Sequence, residues 1–326
     1  MAWSAKKRQP LDFPFYNFYP TMKIDIIHKN GLGISTTKVL KLSTLGLLKH
    51  FGLAGQNYGT TMRAIRRAIG MYFQYSDFFN QKSLSASKFS RPLPSFYDPT
   101  EIGDFSTIAG KAIADFLARR LDNATHTHTY EAAMHAKGHR LSSKSRRPDL
   151  YCYGGGKQFS VESKGFSDAT VSENAMAIHK SQSAQGPLKI NFSVASVAYN
   201  LYDKIRVKYY DPINEDNEFD YALNLDLSRN YYRGFVQLLD SQSVENIFLL
   251  SINNKNYFLV QLFPLNNDLS STQILLLYPW LFRAKLYLAI HTDVKKFAIE
   301  GNLTDLEYYD DDLTYIDNDG IGLAIR

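Results

Sequence analysis

The stretch PDLYCYGGGKQFSVESK, residues 148–164, decides the reading of this chain. A glycine-rich turn at 154–157 sits between two runs of branched and aromatic residues, the signature of an antiparallel hairpin. With that loop, Tyr153 faces Gln158, Cys152 faces Phe159 and Asp149 faces Glu162, each pair summing to 311. Cross-strand partners share a face with Cβ atoms about 4.5–5.5 Å apart, where two bare carboxylates repel and a divalent cation between them removes the conflict. The strand period of two puts Lys164 on the face of Glu162 and turns Phe159, Val161 and Ser163 toward a core.

Acid, acid and cation at one spot suit phosphodiester cleavage. Negative charge builds on the scissile phosphate, and a Mg²⁺ ion held by Asp149 and Glu162 carries that charge while lowering the pKa of a bound water. Lys164 orients or helps deprotonate the water and stabilises the transition state electrostatically.

Pro148, Asp149, Glu162 and Lys164 resemble the signature of the PD-(D/E)XK nuclease superfamily. The resemblance covers about a third of the chain. It implies an α/β fold with a restriction-endonuclease-like αβββαβ core, Mg²⁺ or alternatively Mn²⁺ as cofactor, and cleavage of nucleic acid, usually DNA. It also implies a further metal-side acid on a helix before the hairpin, and Glu101 is the best-placed candidate, with Asp104 second.

The flanking sequence is read as supplying that order. Asp98-Pro99-Thr100-Glu101 combines an N-cap acid, proline at the first helical position and Glu at the third, so a helix starts at residue 99. Apolar residues from Ile102 to Leu121 recur at helical spacing. Glu101 as a simple cap is the competing reading. A strand is expected over Thr125–Tyr130. After the hairpin, Thr170 and Glu173 suggest a capping box, with a helix to Gln185 stopped by Gly186-Pro187 and strands over Lys189–Val194 and Ile205–Tyr210. Some exonuclease branches carry a Gln and, four residues on, a Tyr in this helix. Here Gly186 follows Gln182 and Lys189 follows Gln185, which argues against those branches.

Charge divides the chain into three. Residues 1–97 carry 14 basic and 3 acidic side chains, 98–213 carry 15 and 12, and 214–326 carry 8 and 17, for net charges of +11, +3 and −9. The expected organisation is a mainly helical basic N-terminal region (1–97), a nuclease-like core (98–213) and an acidic α+β C-terminal region (214–326). The Ser- and Pro-containing stretch from Ser83 to Pro94 reads as a linker near the first boundary. A basic region is drawn to phosphates, whereas the acidic one faces solvent, a protein partner or the basic region itself. Within 43–70, two short helices, the second carrying Arg63, Arg66 and Arg67, are compatible with a helix-turn-helix reader of DNA or with ordinary amphipathic helices. Arg140, Lys144, Arg146 and Arg147 stand just before Pro148 and are candidates to hold a phosphate, with Lys180 a further one; a solvated surface is the bland alternative for each.

Other chemistries find little support. The single Cys152 argues against a disulfide scaffold and against a structural zinc site. His126 and His128 alternate on one strand without a third ligand at zinc-like spacing. Glu307 and Asp310–Asp312 lack the glycine and spacing of an EF-hand loop. No nucleotide-binding glycine motif is found. Residues 274–290 are apolar but interrupted by Pro279, Arg283 and Lys285, so no membrane span is expected, and the charged start shows no signal peptide. A cytoplasmic Mg²⁺-dependent DNA endonuclease is the leading expectation, in restriction, phage defence or mobile-element processing, and a homodimer is compatible with it. The alternative is a non-catalytic nuclease-fold subunit that binds nucleic acid and a partner protein.

Overall fold

A computed structural model of the chain describes residues 20–55, 70–71, 74–92, 98–140, 146–211, 217–243, 246–262 and 286–326. The protein is mixed α/β, built on two sheets. The first described strand is β1 (Thr21–Lys29), whose alternating Met22, Ile24 and Ile26 are buried, and the chain returns along β2 (Ser35–Ser43). The region expected to be mainly helical therefore holds two nine-residue strands among its described residues. Ser43 accepts from the Gly46 N–H and starts α1 (Thr44–Leu53). The second helix expected within 43–70 lies almost wholly outside the described residues, as do Arg63, Arg66 and Arg67. The stretch read as a linker is packed: it holds α2 (Gln81–Ser85), and Leu84 and Phe89 are fully buried.

Helix α3 (Pro99–Leu121) starts where its caps predict, with the Asp98 carboxylate accepting from the Thr100 N–H at 2.7 Å. β3 (His126–Thr129) then gives way to a short helix the sequence reading missed, α4 (Tyr130–Ala136), capped by Thr129. β4 (Leu150–Gly154) and β5 (Lys157–Gly165) form the hairpin in the anticipated register, from Gly154 opposite Lys157 to Leu150 opposite Val161. Its loop is tighter than expected, two residues long, with Gly155 and Gly156 both at positive φ (56° and 73°), the geometry such a turn demands. α5 (Glu173–Ser183) is capped by Ser172, not Thr170. It crosses over to β6 (Phe192–Tyr199), which pairs parallel with β5, and β7 (Arg206–Tyr210) follows.

The first sheet has the order β2-β1-β7-β6-β5-β4-β3, so the N-terminal hairpin and the central strands form one surface. α3 packs on β5 and β6, and α1 packs on α3. The remaining chain supplies α6 (Tyr221–Ser241), β8 (Ile247–Ile252), β9 (Lys255–Gln261), β10 (Leu286–His291), α7 (Val294–Glu300), β11 (Tyr309–Asp310), β12 (Thr314–Ile316) and β13 (Ile321–Ile325). Its strands form an antiparallel sheet ordered β11-β12-β13-β10-β9-β8. One apolar core runs through Phe51, Phe105, Phe116, Val161, Ile290 and Tyr315, joining both sheets across α1 and α3.

The acidic C-terminal region does meet the basic one. Asp317 and Asp319, in the turn between β12 and β13, are fully buried and bind the Lys49 ammonium at 2.8 and 3.1 Å. Arg119 and Arg120 of α3 reach the same two carboxylates, and Asp115 holds His50 at 2.5 Å. Burial lowers the His50 pKa, so Lys49, Arg119 and Arg120 balance Asp115, Asp317 and Asp319. Buried charge of this kind is tolerable only when every member is paired.

Candidate active site

The start of β4 and the end of β5 bring Asp149, Glu162 and Lys164 together. The Lys164 Nζ lies 2.6 Å from a Glu162 carboxylate oxygen and 3.7 Å from Asp149 Oδ2. Glu162 is almost wholly buried, while Asp149 and Lys164 are each about a third exposed, with side-chain exposures of 37% and 32%. The cluster thus has a buried floor and an open rim.

Asp149 is not a ladder residue. It forms a bend just before β4, and its Oδ2 accepts from both the N–H and the hydroxyl of Ser163, each at 2.9 Å. Ser163 was expected only to face the core. It is buried, as that reading requires, but its polar groups clamp the first acid of the motif.

Burial and then the neighbouring Asp149 carboxylate push the Glu162 pKa up to about 7, with Lys164 offsetting only part of the shift. For Lys164, burial disfavours the charge, but Asp149 and Glu162 outweigh it and the pKa is raised, so the ammonium stays protonated at neutral pH.

Glu101 does not join this pair. Among the described residues no three His, Cys, Asp or Glu side chains gather into a group able to hold a metal. The cause lies in how α3 crosses β5. A Cβ on Gly165 would come within 1.8 Å of the Ser106 carbonyl oxygen, and one on Gly110 within 2.5 Å of the Lys164 backbone, while Gly154 approaches Asn123 and Ala124. The helix therefore runs antiparallel to β5, and Glu101 precedes Ser106 by about 7.5 Å of helix. That carries it past the end of the strand and away from Glu162. Asp98, Pro99 and Glu101 remain the first turn of the helix.

The expected phosphate-holding residues divide. Arg140 and Arg146 are exposed on either side of the segment before Pro148. Arg147 binds Glu131 of α4, its Nε at 2.8 Å. Lys144 lies outside the described residues. Lys180 is half-buried on α5, where its charge acts on Asp211. His126 and His128 are buried sheet residues, bonded to the Asn302 carbonyl and the Tyr153 hydroxyl.

A second pair of acids escaped the sequence reading. Asp122, after α3, binds the Tyr209 hydroxyl, and Asp211, after β7, lies 2.7 Å from His28 Nε2. Burial and then Asp211 push Asp122 up to about 7. These bonds tie α3, β7 and β1 together. No local pattern marks them, because the four residues come from three distant parts of the chain.

The donor set at 149 and 162 fits a hard cation. Mg²⁺ usually takes one or two carboxylates and keeps several waters, and two carboxylates with an open rim meet that need without a third acid. No helix among the described residues is long and apolar enough to cross a membrane. Comparison with protein-family models, curated proteins and solved structures gives no match.

Proposed function

We propose that the chain is a Mg²⁺-dependent hydrolase of nucleic-acid phosphodiesters, acting on DNA, with a restriction-endonuclease-like core. The observation that carries this reading is the meeting of Asp149, Glu162 and Lys164, with a buried Glu162 whose charge is opposed by burial and by Asp149. The element order α3, β3, β4, β5, α5, β6 supports it, since it reproduces αβββαβ with only α4 inserted.

Asp149 and Glu162 would hold the cation, which supplies charge neutralisation and an acidified water. Ser163 keeps the Asp149 carboxylate turned into the site. Lys164, protonated, donates toward developing negative charge on a phosphate oxygen, which is transition-state stabilisation and not base catalysis. The exposed Arg140 and Arg146 attract phosphates to the rim.

The test is cleavage of labelled duplex DNA, single-stranded DNA and RNA side by side, with Mg²⁺ and with EDTA. Mg²⁺-dependent cutting of duplex DNA that is lost in Asp149→Asn, Glu162→Gln and Lys164→Ala is the expected result. Wild-type protein that cuts none of the three, or variants that cut at the wild-type rate, would refute it.

A further inference from the structure

The β1–β2 hairpin carries a surface that the core does not use. Because Met22, Ile24 and Ile26 point inward, Lys23, Asp25, Ile27 and Lys29 project from the opposite face. Register places Lys41, Val39, Thr37 and Ser35 directly across from them. Lys23, Ser35, Thr37, Val39 and Lys41 are exposed. Asp25, the one carboxylate in residues 21–43, is bound by Lys204 at 2.6 Å, leaving four lysines and a net charge of +3 on the hairpin.

This face lies on the same side of the sheet as the candidate active site, with α5 packed over the strands between them. Lys29 pairs with Tyr210, Tyr210 with Ala195, and Ala195 with Glu162, so Lys29 and Glu162 share one row of the sheet. Three strand spacings separate them, about 14 Å. The next row on that face holds Ile27, Lys208, Val197 and Lys164. Lys29 lies over the Tyr210 ring, and Tyr210 packs with Met176 of α5, which sets both on the Glu162 side.

The tip is rigid and apolar. Asn30 Oδ1 accepts from the Leu32 and Ile34 N–H groups at 3.0 and 2.9 Å, and the Asn30 N–H donates to the Ile34 carbonyl. Leu32 and Ile34 are thereby held outward, 83% and 56% exposed. A braced turn that presents two aliphatic side chains to water, next to a lysine- and hydroxyl-bearing ribbon, matches how strand ribbons engage a duplex: cations and hydroxyls on the phosphates, an apolar wedge in the groove.

We infer that the outer face of the β1–β2 hairpin is a nucleic-acid-binding arm, with Lys23, Lys29 and Lys41 on the phosphates of a duplex and Leu32 and Ile34 in its groove. The inference rests on the hydrolase reading of the neighbouring site. The arm holds the duplex about 14 Å from Glu162, three strand spacings away on the same side of the sheet and beyond α5.

The experiment is fluorescence anisotropy of the full chain with labelled duplex DNA in EDTA, repeated over a salt series, so that binding is read without cleavage. The combined variant Lys23→Glu, Lys29→Glu, Lys41→Glu should bind more weakly and lower the slope of log affinity against log salt by about 2 to 3, at about 0.9 per phosphate contact. Leu32→Ser with Ile34→Ser should weaken binding several-fold and leave the slope unchanged. All five positions lie outside the fully buried core, and thermal unfolding checks that both variants fold. Wild-type protein that does not bind, or a charge-reversed variant with wild-type affinity and slope, overturns the arm. So does a pair of variants that lose binding to anionic vesicles, or self-association, while keeping the duplex. A chain that binds through the hairpin in EDTA but never cuts with Mg²⁺ sinks the hydrolase reading alone. One that cuts, with binding indifferent to the hairpin, sinks the arm alone.

Discussion

Ser163 gives both its backbone N–H and its hydroxyl to one oxygen of Asp149, at 2.9 Å each, from the position between the two site residues Glu162 and Lys164. Asp149 lies in a bend with no ladder partner, so this clamp sets where its carboxylate points. Ser163→Ala removes the hydroxyl and keeps the N–H. A hydrogen bond to a charged group contributes about 1.5–3 kcal/mol. Cleavage should fall about tenfold to a hundredfold, with a rise in the Mg²⁺ concentration giving half-maximal rate. Ser163→Thr, which restores the hydroxyl, should recover most of the loss. Equal rates and equal Mg²⁺ dependence for Ser163→Ala would remove the clamp from the site's function.

Glu162 makes stability depend on pH. Its pKa rises from an ordinary 4.5 to about 7 on folding, because burial and Asp149 oppose the charge. Between those values the folded state binds the proton and the unfolded chain does not, so stability is full below about 4.5 and falls as pH rises to about 7. The loss amounts to roughly 3 kcal/mol at most, by 1.36 kcal/mol per unit. Mg²⁺ bound by the two carboxylates would counter it. Thermal unfolding with and without Mg²⁺ should show a larger upward shift in Tm at pH 8 than at pH 6, and Glu162→Gln should abolish that difference. A Mg²⁺ effect independent of pH would count against Glu162 as a ligand.

The parts of this molecule that were legible from sequence are those whose signals are local. The hairpin register follows from a glycine turn and the symmetry of Asp149 and Glu162 about it, and α3 follows from Asp98-Pro99. Helix α4 went unseen because Tyr130–Ala136 is too short to show a period and directly follows a strand. The β1–β2 hairpin does alternate, Met22, Ile24, Ile26, ahead of Asn30-Gly31, but the alternation is short and the adjacent Ile27 breaks its period of two. Ser163 looked like a core residue because alternation records the face a side chain occupies and not the bend that brings Asp149 over to it. Glu101 failed as a third acid because caps locate a helix start but not its crossing point on a strand, which Ser106, Gly110 and Gly165 set.

The contact between Lys49 and the Asp317–Asp319 turn spans most of the chain, Lys49 and Asp317 being 268 positions apart. Lys49→Met leaves two fully buried carboxylates short of a cation. Breaking one side of a buried ion pair costs about 3–5 kcal/mol, and denaturant unfolding should lose stability of that order. Adding Asp317→Asn to Lys49→Met should recover part of it, since the pair is coupled. Additive losses in the double variant would mean that the two charges stabilise the protein independently.

Gly165 tests whether the site's activity depends on how closely α3 lies against β5. A methyl group there would sit 1.8 Å from the Ser106 carbonyl oxygen and 3.0 Å from the Gly110 nitrogen, both backbone atoms that cannot swing aside. Gly165→Ala must therefore push helix and strand apart, at about 1–3 kcal/mol of stability. The strand end that moves carries Lys164, and a displacement of about 1 Å at reacting groups can cost a hundredfold in rate. Gly103→Ala, in the same helix but with open space around the added carbon, should instead stabilise by about 0.5–1 kcal/mol through helix propensity and leave cleavage unchanged. Parallel unfolding and rate measurements on the two variants separate the contributions. If Gly165→Ala cuts at the wild-type rate while losing stability, the close approach serves packing alone, and the placement of Lys164 must come from its ion pairs with Glu162 and Asp149.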